Sequence, residues 1–334
     1  MPTGLTIVVD DTTAGLGSVV MRALHNLYYL DASDLLYLDF RNVAYGAPDE
    51  NIWNRFFYQP CDAQQAQILE MAKEGKYAVR RWQDAGPWLL GYGRGHDRRQ
   101  YTSPEFVGRV RALVQKYLRF RPSVADAFAG FHAEHLAGKR VLGVHKRGSD
   151  QLTIGHGAGL YHVINQRFLR RRIDTALDAH HCDWIYLATD EQVIVNAMAK
   201  RYGGRMIRYP AAVAPVGVVD AVHNMNWHRE PEFKHSLGRD MLIDALVLSR
   251  TTHALLMASN VSLLSLFLRR DLHYEFIDAK FDYSEGRRAW LRGLPYRLYL
   301  NKVDVKSWAR RLFERGRPSS SAPEPATWLG PPTF

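Results

Sequence analysis

The chain has 334 residues and a formal net charge of +10, with 46% hydrophobic and 23% charged residues. That length suits about two domains, each able to bury a core, and the composition excludes wholesale disorder, collagen-like repeats and coiled coil. Two cysteines, Cys61 and Cys182, exclude a disulfide framework, and the apolar run from Ala254 to Leu268 is broken as a membrane span by Ser259, Asn260 and Ser262.

Residues 6–10 (TIVVD) read as a short buried strand, with no basic or apolar leader before it, so the expected location is the cytoplasm. The turn-rich DTTAGLGS follows, then a helix over 19–30 and a second strand, LLYLDF, ending at Phe40. A strand, glycine loop, helix and strand in succession open an α/β domain with parallel strands. Residues 41–100 carry WNRFFYQP and GPWLLGYGRG and read as loops around a cleft. There Trp53, Phe56, Phe57, Tyr58, Trp82 and Trp88 serve either as faces that stack on sugar rings or as core. Ser103 as N-cap and Pro104 at the first helical position open a helix with Phe106, Val110, Leu113, Val114 and Tyr117 on one face. A further helix over 124–136 stops at Ala137-Gly138, the expected domain boundary.

A second α/β pattern then begins. Strand 140–145 (RVLGVH) leads into the polar loop KRGSDQLTIGHGAG, a helix over 163–179 and strand 184–189. Helix 191–202 and strand 205–209 come next, then a proline-broken loop and a helix over 237–249. Strand 254–258, a helix to Leu268 and strand 274–277 complete the pattern, which predicts a second doubly wound sheet. Basicity is concentrated further on. From Arg287 to Arg317 ten basic residues face only Asp304 and Glu314, a local +8 that fits an anionic membrane, an acidic acceptor, nucleic acid or a plain solvated helix face. The last stretch, RPSSSAPEPATWLGPPTF, holds five of the fifteen prolines and reads as an extended tail. The expected divisions are therefore 1–138, 139–316 and 317–334.

The architecture, two Rossmann-type domains facing across a cleft, resembles the GT-B type of glycosyltransferase. In such sheets ligands sit beyond the carboxyl ends of the strands. Strand 140–145 releases His145, Lys146, Arg147, Gly148, Ser149 and Asp150 at that end, and an arginine there can grip a phosphate through two parallel bonds. Strand 184–189 ends in Thr189, Asp190 and Glu191, an acidic end on the same rim. Ser259-Asn260 opens a helix whose N–H groups and hydroxyl suit a phosphate. Asp244 lies inside the apolar MLIDALVL, where a carboxylate is either a paired buried acid or an acceptor for a base edge or ribose hydroxyl.

The segments GVHKRGSD, IYLATDE and SLGRDMLIDALVLSRTTHALLMASN, in that order, resemble motifs of the α1,6-fucosyltransferases, a group related to the protein O-fucosyltransferases. The resemblance covers roughly residues 138–278, with weaker echoes at Gly15-Leu-Gly17 and His223-Asn224. It implies an inverting, metal-independent transfer of a sugar, by default fucose from GDP-fucose. Carried over, Arg147 holds the donor diphosphate, and His145 with Asp244 contacts guanine. Asp190 joins them on the nucleotide rim, Ser259 with Asn260 meets phosphate, and the chain near His223 lines the nucleotide pocket. No Asp-x-Asp occurs in the sequence, which agrees with metal independence, arginine then neutralising the departing diphosphate. Two departures stand out: Gly148 replaces a second basic residue, and Gly155-His156 stands where a glutamate is common. The acceptor base is therefore open between Asp150 and His156. The acceptor partner is a carbohydrate, a lipid-linked sugar or a natural product, and an inner-membrane contact through 287–317 would suit the lipid-linked case.

Two rival classes draw on other features. Gly15-Leu-Gly17 is half of a dinucleotide fingerprint and favours an NAD-dependent oxidoreductase. The basic stretch alone favours a nucleic-acid-binding protein. His223, His228 and His235 are too widely spaced, with Pro231 between them, to predict a metal site, and none is expected.

Overall fold

The computed structural model describes residues 5–30, 35–60, 70–71, 73–86, 103–148, 166–216, 218, 222–226, 228–257, 259–269 and 271–277. Among these the chain forms two parallel sheets wrapped by helices. In the first half, β1 (Leu5–Asp11), α1 (Leu16–Tyr29) and β2 (Leu35–Arg41) are followed by α2 (Ile52–Phe56) and β3 (Tyr77–Arg81). Strand β1 is central, pairing in parallel with β2 and β3, so that Leu5 lies opposite Leu35 and Tyr77. Helices α3 (Pro104–Tyr117) and α4 (Pro122–His135) lead to the second half.

The second half runs β4 (Val141–Lys146), α5 (Gln166–Ala179), β5 (Trp184–Thr189), α6 (Gln192–Tyr202), β6 (Met206–Ile207) and α7 (Val222–Met225). It ends with α8 (Pro231–Ser249), β7 (His253–Leu256), α9 (Asn260–Leu268) and β8 (Tyr274–Phe276). The strand order is β6-β5-β4-β7-β8, all parallel. The chain steps outward from β4 to β6, then returns through α8 to the other side of β4. That reversal makes the gap between the carboxyl ends of β4 and β7 a topological switch point, where doubly wound sheets open a crevice. Strand β4 is buried along its whole length, as expected for a parallel strand covered on both faces.

Several elements differ from the sequence expectations. Helix α1 starts at Leu16 with Gly15 as its N-cap, so Gly17 belongs to the first turn and not to a loop. Pro231 opens α8 six residues before the expected start, because a proline at the first helical turn gives up no internal hydrogen bond. Residues 41–100 are not only loops, since α2 and β3 fall within them. Trp53, Phe56 and Phe57 are fully buried, with Trp53 stacked on Phe57 at 4.4 Å, so these three rings fill the core and cannot stack on a sugar. Trp82 packs at the edge of that core under the Arg22 guanidinium, whereas Trp88 lies outside the described residues. Among the described residues no helix is long and apolar enough to cross a membrane.

The main core is continuous between the halves, joining Leu16, Leu24 and Phe56 to Leu237, Leu242 and Leu263. A separate cluster on the other face of the second sheet packs Leu142, Val144 and Leu187 against Leu169, Ile173 and Ile194 of α5 and α6. The halves pack tightly at Gly238 of α8, where a Cβ would stand 2.9 Å from Phe56 Cε2 and 3.1 Å from Leu16 Cδ2. Phe56 is buried and has little room to retreat. Gly238→Ala is therefore expected to destabilise by about 1–3 kcal/mol through overpacking. Thermal unfolding checks this; an unchanged midpoint would mean that Phe56 can move aside freely.

Candidate active site

The alternation of β4 sorts its last residues to opposite faces. His145 and Arg147 line a pocket of about 670 Å³, including its open mouth, at the carboxyl ends of β4 and β5. Thr189 and Asp190 close one side, Asp240 and Asp244 of α8 another, and Tyr45 and His223 the rim toward the first half. Lys146 points the other way, into the interior, where its Nζ lies 2.7 Å from Glu191 Oε2. It is thus not one of two cations offered to a ligand by this loop.

His145 spans the switch point. Its Nδ1 lies 2.8 Å from Ser262 Oγ, and the Ser262 hydroxyl donates to the Met257 carbonyl at 2.5 Å. With that hydroxyl proton committed, Nδ1 is assigned as the donor and Nε2 is left as the acceptor. Burial, reinforced by the charge of Arg147, lowers the His145 pKa to about 4, so the ring is neutral near pH 7.

Asp244 accepts a hydrogen bond from Tyr186 at 2.5 Å, and burial raises its pKa to about 7 against the opposing pull of Tyr186 and Arg208. It is thus the paired buried acid that its sequence setting allowed, and it also lines the pocket. Asp240, one turn earlier on the same face, was missed by sequence reasoning; burial raises its pKa to about 6 against the nearby Arg239. The i, i+4 spacing in RDMLIDAL was the available signal. Among the described residues Asp190 Oδ1 is buried with no hydrogen-bond partner. A Cβ at Gly148 would stand 2.7 Å from Asp190 Cγ, so that carboxylate occupies the space a side chain at 148 would need.

His223 stacks on Tyr45 at 5.7 Å between ring centroids. Tyr45, from the aromatic first half, was not singled out in the sequence. Ser259 and Asn260 do not line the pocket. Ser259 caps α9, accepting from Ser262 N at 3.1 Å, and Asn260 packs against Gly17, whose Cβ would stand 3.0 Å from Asn260 Cβ. His235 pairs with Glu50 at 2.8 Å while His228 is exposed, and among the described residues no three metal-ligating side chains converge. Asp150, His156, the basic stretch 287–317 and the tail lie outside the described residues.

The pocket therefore offers a guanidinium that suits an anion, a neutral imidazole acceptor and carboxylates that accept N–H or O–H groups. No protein-family profile and no curated protein matches the chain. Among solved structures it is similar to Bradyrhizobium NodZ alpha-1,6-fucosyltransferase co-crystallized with GDP, at 15% identity and a TM-score of 0.48, covering 79% of this chain and 92% of that one. It is similar to POFUT1 in its apo form at 10% identity and a TM-score of 0.44, covering 83% and 98%. A mutant of Arabidopsis thaliana FUT1 in complex with GDP gives 9% identity and a TM-score of 0.46, covering 81% and 69%.

Proposed function

We propose that the chain is an inverting, metal-independent glycosyltransferase that takes its sugar from a nucleoside diphosphate donor, with GDP-fucose as the default. The observation that carries this reading is one pocket lined both by Arg147 at the end of β4 and by Asp240 and Asp244 of α8, Asp244 being held by Tyr186. A nucleoside diphosphate carries matching groups, an anion and a base or ribose rich in N–H and O–H donors. Guanine as the base is what the resemblance of the HKRGSD, ATDE and RDMLIDAL segments to α1,6-fucosyltransferase motifs implies.

In this mechanism residues 139–316 hold the donor and residues 1–138 face the acceptor. The acceptor hydroxyl attacks the anomeric carbon as the bond to the diphosphate breaks. Arg147 stabilises the charge that develops on the leaving oxygens, the interaction that gains most in the transition state. Neutral His145 accepts from the nucleotide through Nε2, and Asp150 or His156 takes the acceptor proton.

Calorimetric titration with GDP, UDP, ADP and NAD, first in EDTA and then with Mg²⁺, tests the reading. GDP is expected to bind in EDTA, and more tightly than the other three. A preference for UDP or ADP would change the donor, and binding of NAD alone, or of none, would overturn the proposal.

A further inference from the structure

Strand β4 is covered on both faces, yet its last residue is a lysine. Lys146 and Glu191 form an ion pair at 2.7 Å with each side chain only 3% exposed. A dry ion pair of this kind adds little to stability, since apolar residues of similar volume often do as well or better. Its presence calls for another reason, and its second hydrogen bond supplies one. Lys146 Nζ also donates to the carbonyl of Arg147 at 2.7 Å, fixing the peptide that joins Arg147 to Gly148. Gly148 in turn abuts the Asp190 carboxylate.

Glu191 is equally well placed. It is the N-cap residue of α6, directly after Asp190, and it pairs in parallel with Ala214. Ala214 N donates to the Asp190 carbonyl at 2.7 Å, and Gln192 N donates to the Ala214 carbonyl at 3.1 Å. The ion pair thus ties the Arg147 segment to the Thr189–Glu191 segment, which backbone hydrogen bonds in turn join to the segment that carries Ala211 and Ala212.

We propose that Lys146 and Glu191 are positioning residues that hold Arg147 in the diphosphate subsite. The inference rests on the reading of Arg147 as the group that grips the diphosphate. Neither residue touches the donor; both act through the Arg147 peptide. Because the pair is buried and rigid, the guanidinium is oriented before the donor arrives, and less ordering is left to binding.

The test compares wild type with the double variant Lys146→Met/Glu191→Leu, which replaces the pair with apolar side chains. Its thermal midpoint is expected to stay within about 3 °C of wild type. Lys146→Met alone, which strands a buried carboxylate, is expected to fall further. Calorimetry with GDP and with guanosine then separates positioning from folding. The double variant is expected to lose at least tenfold in GDP affinity while guanosine, which lacks phosphates, binds as in wild type. In an Arg147→Ala background the same double replacement is expected to cost nothing more. Should the double variant unfold, Glu191→Gln keeps the shape and is read by the same GDP-to-guanosine ratio, which is expected to fall. Unchanged GDP affinity, an equal fall for both ligands, or a full tenfold loss in the Arg147→Ala background would each overturn the proposal. Absence of GDP binding in the wild type overturns the functional reading and this inference with it.

Discussion

Arg147→Ala is expected to weaken GDP binding at least a hundredfold while leaving the thermal midpoint close to wild type. A guanidinium meeting a diphosphate makes two charge-assisted hydrogen bonds, each contributing about 1.5–3 kcal/mol. Their joint loss of about 3–6 kcal/mol corresponds to two to four powers of ten in the dissociation constant. The fold depends little on this side chain, which is half-buried at a pocket wall and lies outside the apolar clusters. Arg147→Lys keeps the charge and loses the planar fork, so it is expected to recover only part of the affinity. A separate readout needs no ligand. The Arg147 charge helps hold the His145 pKa near 4, so Arg147→Ala should raise it, which imidazole resonances followed against pH would report. Wild-type GDP affinity in Arg147→Ala would remove the residue from the diphosphate subsite.

The strand ends were legible because a buried parallel strand is a short apolar run with a sharp polar stop. RVLGVH-KR and WIYLAT-DE show that stop plainly, and β4 and β5 end within a residue of their expected ends. That rule placed His145, Arg147 and Asp190, and Asp244 was visible as a charge inside an apolar helix. The edge strand β3 was not legible, because YAVRR is largely exposed and shows no apolar run. The aromatic residues around Trp53 suggested a binding surface because composition cannot distinguish a ring in the core from a ring on a cleft.

Other parts of the site depend on contacts that no single segment encodes. Lys146 reads as a loop cation until the alternation of β4 turns it inward to Glu191, and Gly148 reads as a departure from a motif until Asp190 is seen against it. Ser259 and Asn260 are helix-opening residues by type; the Ser259 hydroxyl caps α9, and the Asn260 Cβ packs against Gly17.

At the opposite end of the second sheet, His253→Phe is expected to make the protein more resistant to acid. His253 begins β7, is 6% exposed, and both of its ring nitrogens are buried without a hydrogen-bond partner among the described residues. It stacks on His180 at 3.6 Å, and burial, with the nearby His180 and His273, lowers its pKa to about 4. In the unfolded chain the same ring titrates near the ordinary value of 6.5. Between these values the unfolded state holds a proton that the folded state refuses, so stability falls as pH drops from 6.5 to 4. The loss is on the order of 3 kcal/mol from this residue alone. Phenylalanine fills a similar space and cannot protonate, so the two proteins should match at pH 7.5 and diverge below 6.5. Asp244 works in the opposite sense. Its folded pKa of about 7 lies above its unfolded value of 3.8, so its contribution is fully present below pH 3.8 and is lost as pH rises through 7. Asp244→Asn, which keeps an oxygen for Tyr186, should therefore be more stable than wild type at pH 8 and lose that advantage by pH 4. Urea unfolding of both variants from pH 8 to pH 4 gives two difference curves that open at opposite ends of the range. Flat curves would mean that neither group is held in its neutral form by the fold. A stabilising Asp244→Asn at pH 8 would mark Asp244 as a carboxylate that the fold keeps at a cost, as a pocket residue selected for a ligand would be.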